Sequence, residues 1–233
     1  MSISTNYAKL REEIPKDVKI VLSAKTRTVE EIEEAIDAGA VDIGHNYVQE
    51  AGQIYRALKK KPADVRWHMI GHLQTNKINK ALRIFDVIQT IDSLDKAVAI
   101  DKRVETAGRD IVEVYIEINI GSEFAKAGIK PADHEPFEEY VETLAGGISA
   151  LAHLRLVGLM TMGPRFGNPE DVRPYFSRTK TIFDRIKALS LSNVDMKYLS
   201  MGMTNSYRIA IEEGSNMVRI GTAVYGKREC DIR

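Results

Sequence analysis

Apolar, β-branched runs recur along the whole chain, each closing on Gly, Ser, Thr or Asn, and most lead into a segment whose apolar residues fall three and four apart. That alternation is the period of a strand followed by a helix. The predicted strands are Lys19 to Ala24, Val41 to Gly44, Arg66 to Ile70, Val87 to Ile91, Glu113 to Ile118, Leu154 to Met160, Lys197 to Ser200 and Met217 to Gly221. Between them, helical patterns run from Thr28 to Gly39, from about Tyr47 to Lys60, from Thr75 to Ile84 and from Ser93 to Ala107. Phe137, Tyr140, Val141 and Leu144 mark a fifth helix, a long pattern from Tyr175 to Leu189 a sixth, and Asn205 to Glu213 a short seventh.

Local chemistry sets the boundaries. Thr28 with Glu31 three residues on makes a capping box for the first of these helices, and Gly39 stops it. Gly108 and Gly214 close two others. Strands that alternate with helices require right-handed crossovers and a parallel sheet, and eight of them in a chain of 233 residues are the count and size of an α/β, closed (β/α)8 TIM barrel. An open, doubly wound sheet is the alternative. Few residues follow the eighth strand, so the segment from about Ser4 to Glu13 is predicted to be a helix that covers the gap in the outer ring. With no Gly/Pro/Ser-rich linker and no shift in composition, residues 1–233 read as a single domain.

Composition narrows the function classes. Lys plus Arg (33) balances Asp plus Glu (33), so no overall field steers the chain onto nucleic acid or an anionic membrane. The run Lys59-Lys60-Lys61 reads as a solvated helix end. A lone cysteine, Cys230, excludes an internal disulfide framework and fits a reducing compartment. The N-terminus lacks a charged region followed by an apolar one, and no window is apolar enough to span a membrane, so a cytoplasmic protein is expected.

In such barrels chemistry belongs at the carboxyl ends of the strands. Here these ends offer Lys25-Thr26, His45-Asn46-Tyr47, His68 and His72 around Gly71, Asp92-Ser93, Asn119, Thr161, Ser200-Met201-Gly202, and Arg219 with Gly221-Thr222. Lys25 directly follows Ile20-Val21-Leu22. An amine at a barrel mouth must be compensated, by an anion or by a covalent carbonyl partner, or else it snorkels to solvent. Small hydroxyls and glycines at strands seven and eight fit a phosphate cradle, or ordinary turns. Arg219 lies between apolar neighbours and needs an acceptor inside the barrel, a ligand atom or a salt-bridge partner. His68 and His72 are four apart, but Gly71 breaks any helix there, so no metal site is expected. Met160, Met162, Met201 and Met203 read as adaptable apolar lining or core.

Several stretches in order then carry a resemblance: Ser23-Ala24-Lys25-Thr26, Trp67 to Lys77, Gly158 to Gly163, Leu199 to Thr204 and Val218 to Ala223. Together they resemble the YggS/PROSC family, the pyridoxal phosphate homeostasis proteins, whose barrel is similar to the alanine racemase N-terminal domain. The resemblance implies pyridoxal 5'-phosphate (PLP) as cofactor, held as a Schiff base on Lys25. It also implies phosphate binding at Ser200, Met201, Gly202, Gly221 and Thr222, Asn46 near the cofactor, and Arg219 facing the pyridine nitrogen.

An always-charged arginine there favours the unprotonated ring, which supports carbanion chemistry poorly. A second domain with its opposing base is also not expected, and without the surface by which the racemases dimerise a monomer is the default. The implied role is therefore a carrier or regulator in vitamin B6 homeostasis that releases PLP by imine exchange to free amino acids or PLP-dependent apoenzymes. A racemase-like enzyme and a non-covalent binder of another phosphorylated metabolite are the competing readings. The chain departs from the family at His45, where an acid is usual, and at Ala125-Lys126, where a serine usually precedes the lysine; Lys126 is a candidate secondary amine near the mouth.

Overall fold

The computed structural model describes residues 2–58, 65–123, 127–164 and 168–226. Lys59 to Lys61, Lys126 and Cys230 lie outside the described residues. The strands are β1 (Lys19–Ser23), β2 (Asp42–His45), β3 (Arg66–Met69), β4 (Val87–Ile91), β5 (Val112–Ile118), β6 (Leu154–Thr161), β7 (Val194–Ser200) and β8 (Met217–Ile220). They close in sequence order into one barrel, with β8 pairing back onto β1 in parallel. The barrel reading therefore holds and the open sheet does not.

Helices α2 (Val29–Asp37), α3 (Val48–Ala57), α4 (Ile78–Ala81), α5 (Leu94–Val104), α6 (Phe137–Ser149), α7 (Arg173–Ala188) and α8 (Tyr207–Glu212) follow the first seven strands. The Thr28/Glu31 capping box is formed in full and starts α2. Gly108, with φ of 73°, closes the segment after α5. The N-terminal helix α1 (Ile3–Glu13) buries Tyr7 and Leu10. It is tied to the end of the chain by a bond from Asn6 Nδ2 to the Val224 carbonyl at 3.0 Å. That carbonyl belongs to α9 (Thr222–Tyr225), a short helix after β8 that the periodicity did not show. So α1 and α9 fill the gap together.

The third helix is also shorter than its apolar pattern. A tight turn of 3-10 helix covers Thr75–Lys77, and α4 ends at Ala81. The guanidinium of Arg109 takes the carbonyls of Leu82, Phe85 and Asp86, which satisfies those backbone groups without further helical turns.

Alternation sorts each strand into an outer and an inner set. Outward residues such as Leu22, Ile43, Trp67 and Ile116 join the core between barrel and helices. Inside the barrel a separate cluster comprises Val21, Ile70, Val87, Tyr115, Val157, Met160 and Met217. The interior is otherwise polar, with Asp42, His68, Gln89, Glu117, Ser200 and Arg219 all buried. Of the methionines read as lining, Met160 and Met162 belong to the interior cluster, while Met201 is in the outer core. No helix among the described residues is long and apolar enough to cross a membrane.

Candidate functional site

β1 delivers Lys25 to the rim. Val21 faces inward and Leu22 and Ala24 outward, so the alternation places Ser23 and Lys25 on the inner side. Lys25 is half-buried and has an interaction partner. The chain then turns sharply at Thr26, whose φ is 65°, and the Thr26 N–H donates to a Glu50 carboxylate oxygen of α3. A β-branched residue in the left-handed region is strained, and the carboxylate bond holds it there.

β8 is the neighbour of β1, with Val21 opposite Arg219 and Leu22 opposite Ile220. Lys25 and the Gly221-Thr222 pair therefore leave adjacent strands at the same end. Arg219 is 5% exposed and held from two strands: Nη1 donates to the Ser200 carbonyl and hydroxyl, both at 2.8 Å, and Nη2 to the Thr161 carbonyl at 2.7 Å. These bonds leave two of the five guanidinium N–H groups for a further acceptor. Burial pushes its pKa down to about 10, partly offset by Glu117, so it remains charged at neutral pH.

The phosphate-type residues converge beside it. Gly202, at φ of 92°, sits where a Cβ would meet Ala210 and Tyr207 of the α8 turn at 2.6 and 2.9 Å, and its carbonyl accepts the Arg219 N–H at 3.0 Å. A Cβ at Gly221 would meet only Ser23, at 3.5 and 3.7 Å. The Thr222 hydroxyl donates to that of Thr204 at 3.2 Å, joining the β7 and β8 ends. Thr204 therefore sits with Thr222 at this rim.

Glu117, inward on β5, was missed in the strand-end reading. It is 3% exposed, and its Oε2 has no hydrogen-bond partner among the described residues. Burial pushes its pKa up to about 7, Asp92 adds to this, and Lys96 and Arg219 oppose it. The strand parity shared with Tyr115 was the signal that could have found it. At the same rim Lys96 Nζ lies 2.7 Å from Asp92 Oδ2, and His72 Nδ1 lies 3.8 Å from the same oxygen.

The folded form holds the Glu117 proton more tightly than the unfolded chain, whose value is near 4.5. Stability therefore falls as pH rises through about 4.5 to 7, by about 3 kcal/mol from this group. Glu117→Gln is expected to stay protonation-independent and to exceed the parent in urea unfolding at about pH 8 but not at about pH 5. An unchanged difference between the two pH values would contradict this.

Over most of the chain, residues 1–229, the sequence matches the family model for the alanine racemase N-terminal domain. The pyridoxal phosphate homeostasis protein of Aquifex aeolicus is 38% identical over 91% of this chain and 87% of its own. That of Escherichia coli K12 is 32% identical over 97% of each. The chain belongs to this family. A solved relative, PipY of Synechococcus elongatus PCC7942 with PLP bound, is 29% identical, with a TM-score of 0.84 over 97% of this chain and 100% of that one. Alanine racemase from Bacillus anthracis is 21% identical and shares the fold, at a TM-score of 0.70 over 99% of this chain and 57% of the racemase.

In this member of the pyridoxal phosphate homeostasis family, the residues singled out from sequence divide by position. Lys25, Asn46, Gly202, Arg219, Gly221 and Thr222 lie at the ends of strands or just past them, at one rim. Asn46 also lines a neighbouring cavity of about 350 Å³ with Gly71, His72, Gln74 and Lys77. A larger cavity, about 540 Å³, lies outside the barrel along α7 and β7, away from that rim, and holds none of these residues. Ser200 is fully buried, its hydroxyl committed to Arg219 and to Gln89. Met201 packs in the outer core. His45 points outward, stacked on Trp67 with centroids 6.2 Å apart, because Asp42 and Gly44 take the inner positions of β2. Neither ring nitrogen has a hydrogen-bond partner among the described residues, and burial pushes its pKa down to about 4.

Proposed function

We propose that the chain binds PLP covalently on Lys25 and acts in PLP homeostasis as a carrier or regulator, with residues 1–233 serving as one binding unit. The observation that carries this is the pairing of β1 with β8, which brings Lys25, Arg219 and Gly221-Thr222 to one end of the barrel. The donor set fits the cofactor. Lys25 supplies the amine for the aldehyde, held as a Schiff base. Arg219 has N–H groups to offer an unprotonated ring nitrogen, and Asn46 directly follows β2, the strand paired with β1. The backbone around Gly202 and Gly221, with the Thr222 and Thr204 hydroxyls, takes the phosphate. Within this set Ser200 acts by holding Arg219, and Met201 through its main chain.

The cofactor supplies one reactive group, its aldehyde carbon. Lys25 would hold that carbon and would be released as its free amine, taking up the two protons that the incoming amine of an amino acid or an apoenzyme gives up as its own C–N link forms. A charged arginine at the ring nitrogen withholds the proton that would make the ring a strong electron sink, which supports a carrier over a racemase. The names of the relatives point the same way, since the Aquifex aeolicus and Escherichia coli proteins are named for homeostasis rather than for a reaction. A monomer working in the cytoplasm completes the reading.

Comparing PLP with pyridoxal, which lacks the phosphate, tests the cradle. PLP is expected to bind at least about tenfold more tightly, as charge-assisted hydrogen bonds to phosphate require. Thr222→Val should narrow the gap. Equal affinities in the parent protein would remove the phosphate half of the proposal.

A further inference from the structure

Beneath Arg219 the barrel interior holds a continuous line of polar contacts, of which the proposed function uses only Arg219 and Ser200. Arg219 Nη1 donates to Ser200 Oγ at 2.8 Å, and Ser200 Oγ lies 2.8 Å from Gln89 Oε1. Gln89 Nε2 is 3.0 Å from His68 Nδ1, and His68 Nε2 is 2.8 Å from Asp42 Oδ1. The other Asp42 oxygen is 3.4 Å from Lys19 Nζ at the amino-terminal end of β1. From Arg219 to Asp42 every side chain in this line is buried.

Donor chemistry fixes its direction. A guanidinium only donates, so Ser200 Oγ accepts from Arg219 and its single proton goes to Gln89 Oε1. The amide is then oriented, and its Nε2–H donates to His68 Nδ1. That nitrogen therefore carries no proton, and the Nε2–H of a neutral imidazole donates to Asp42. Turning the amide around would face the Ser200 proton with an N–H, and would need a proton on Nδ1, making His68 an imidazolium beside Asp42. A buried network is stable only when every member is satisfied, and this arrangement satisfies each of them.

We propose that Gln89 is a positioning residue for Arg219, with His68 and Asp42 fixing the sense in which Gln89 points. Gln89 does not touch the cofactor site itself. It turns the Ser200 hydroxyl so that its lone pair faces the guanidinium, which holds Arg219 as a donor toward the bound ring. The cofactor arm of the following test rests on the proposed function; the other arms are read in the protein alone.

Nitrogen-15 NMR of the protein without added cofactor is expected to show His68 neutral, unprotonated at Nδ1 and protonated at Nε2. Guanidinium protons of Arg219 should be resolved and slow to exchange. In Gln89→Leu that protection should be lost. In Gln89→Glu it should be kept, because a carboxylate still accepts from Ser200, while His68 gains a proton at Nδ1 and becomes an imidazolium.

Titration with PLP should then follow the same order. Affinity falls about 3- to 10-fold in Gln89→Leu, the worth of one neutral hydrogen bond, and stays within about twofold of the parent in Gln89→Glu. The absorption maximum of the bound cofactor should move only in the leucine variant. A His68 protonated at Nδ1 in the parent would overturn the proposal, as would Arg219 protection that is indifferent to both substitutions. Equal losses of protection in the glutamate and leucine variants would reduce Gln89 to packing and overturn it too. If Gln89→Leu does not fold, the His68 tautomer and the glutamate variant still decide. Failure of the parent to bind PLP would sink the proposed function while leaving the NMR arms to judge the relay.

Discussion

Lys25→Ala mixed with PLP is expected to give no long-wavelength absorption band and to bind the cofactor about 100-fold more weakly or worse. The reasoning is chemical. Removing the amine removes the only covalent link in the set, and the remaining contacts to ring and phosphate are hydrogen bonds worth about 0.5 to 3 kcal/mol each. The residue lies half-buried at the rim, on the last inward step of β1 before the Thr26 turn, where a truncation leaves no deep cavity. Urea unfolding of the variant should stay within about 1 kcal/mol of the parent. Lys25→Arg, which keeps the charge but forms no Schiff base, should lose the band as completely. Retention of the band in either variant would move the covalent site to another residue.

The largest loss of stability is expected from Gly158→Ala in β6. A Cβ there would lie 2.0 Å from the Tyr198 carbonyl oxygen and 2.9 Å from the Tyr115 ring. The backbone approaches this closely because the register shifts on both sides of this position: between Val114 and Tyr115 toward β5, and between Leu156 and Gly158 toward β7. A bulge of this kind re-aims the residues that follow, and these include Thr161, whose carbonyl holds Arg219. Added volume against backbone is not relieved by a rotamer change, so the strands must separate. A cost of about 2 to 4 kcal/mol is expected, seen as a lower urea midpoint with an unchanged slope. Because the displaced segment also carries the Thr161 carbonyl, PLP affinity should fall in the same variant. A midpoint equal to that of the parent would show that the bulge relaxes without cost.

Much of the barrel was legible because parallel strands buried on both faces leave near-continuous apolar runs, as in Ile20 to Leu22 and Leu156 to Met160. The N-terminal helix was legible by counting, since a barrel of eight units needs its outer ring closed. What escaped was short or non-local. Helix α9 has only Thr222 to Tyr225 to announce it, too brief for a periodic signal. Helix α4 was read too long because Arg109, distant in sequence, takes the carbonyls of the chain just beyond it, at Leu82, Phe85 and Asp86.

At the site, the residue types and their strand ends were readable, but their partners were not. Ser200 read as a phosphate hydroxyl, and nothing local to it shows that Gln89, 111 residues away, engages that hydroxyl. His45 read as part of the mouth. Its neighbours Asp42 and Gly44 decide otherwise, since a strand that turns those two inward must turn His45 out onto Trp67. Glu117 hid within a strand that was read for its apolar residues alone.

The central claim is that an amine on β1 captures the aldehyde at the rim where the phosphate-type turns of β7 and β8 converge. Borohydride reduction of the PLP-loaded protein, followed by peptide mass mapping, measures it directly. A single reduced pyridoxyl-phosphate adduct on the peptide carrying Lys25 is the expected result, with none after the Lys25→Ala substitution. An adduct on any other lysine in the parent protein, or no adduct under conditions where the cofactor is bound, would contradict the account.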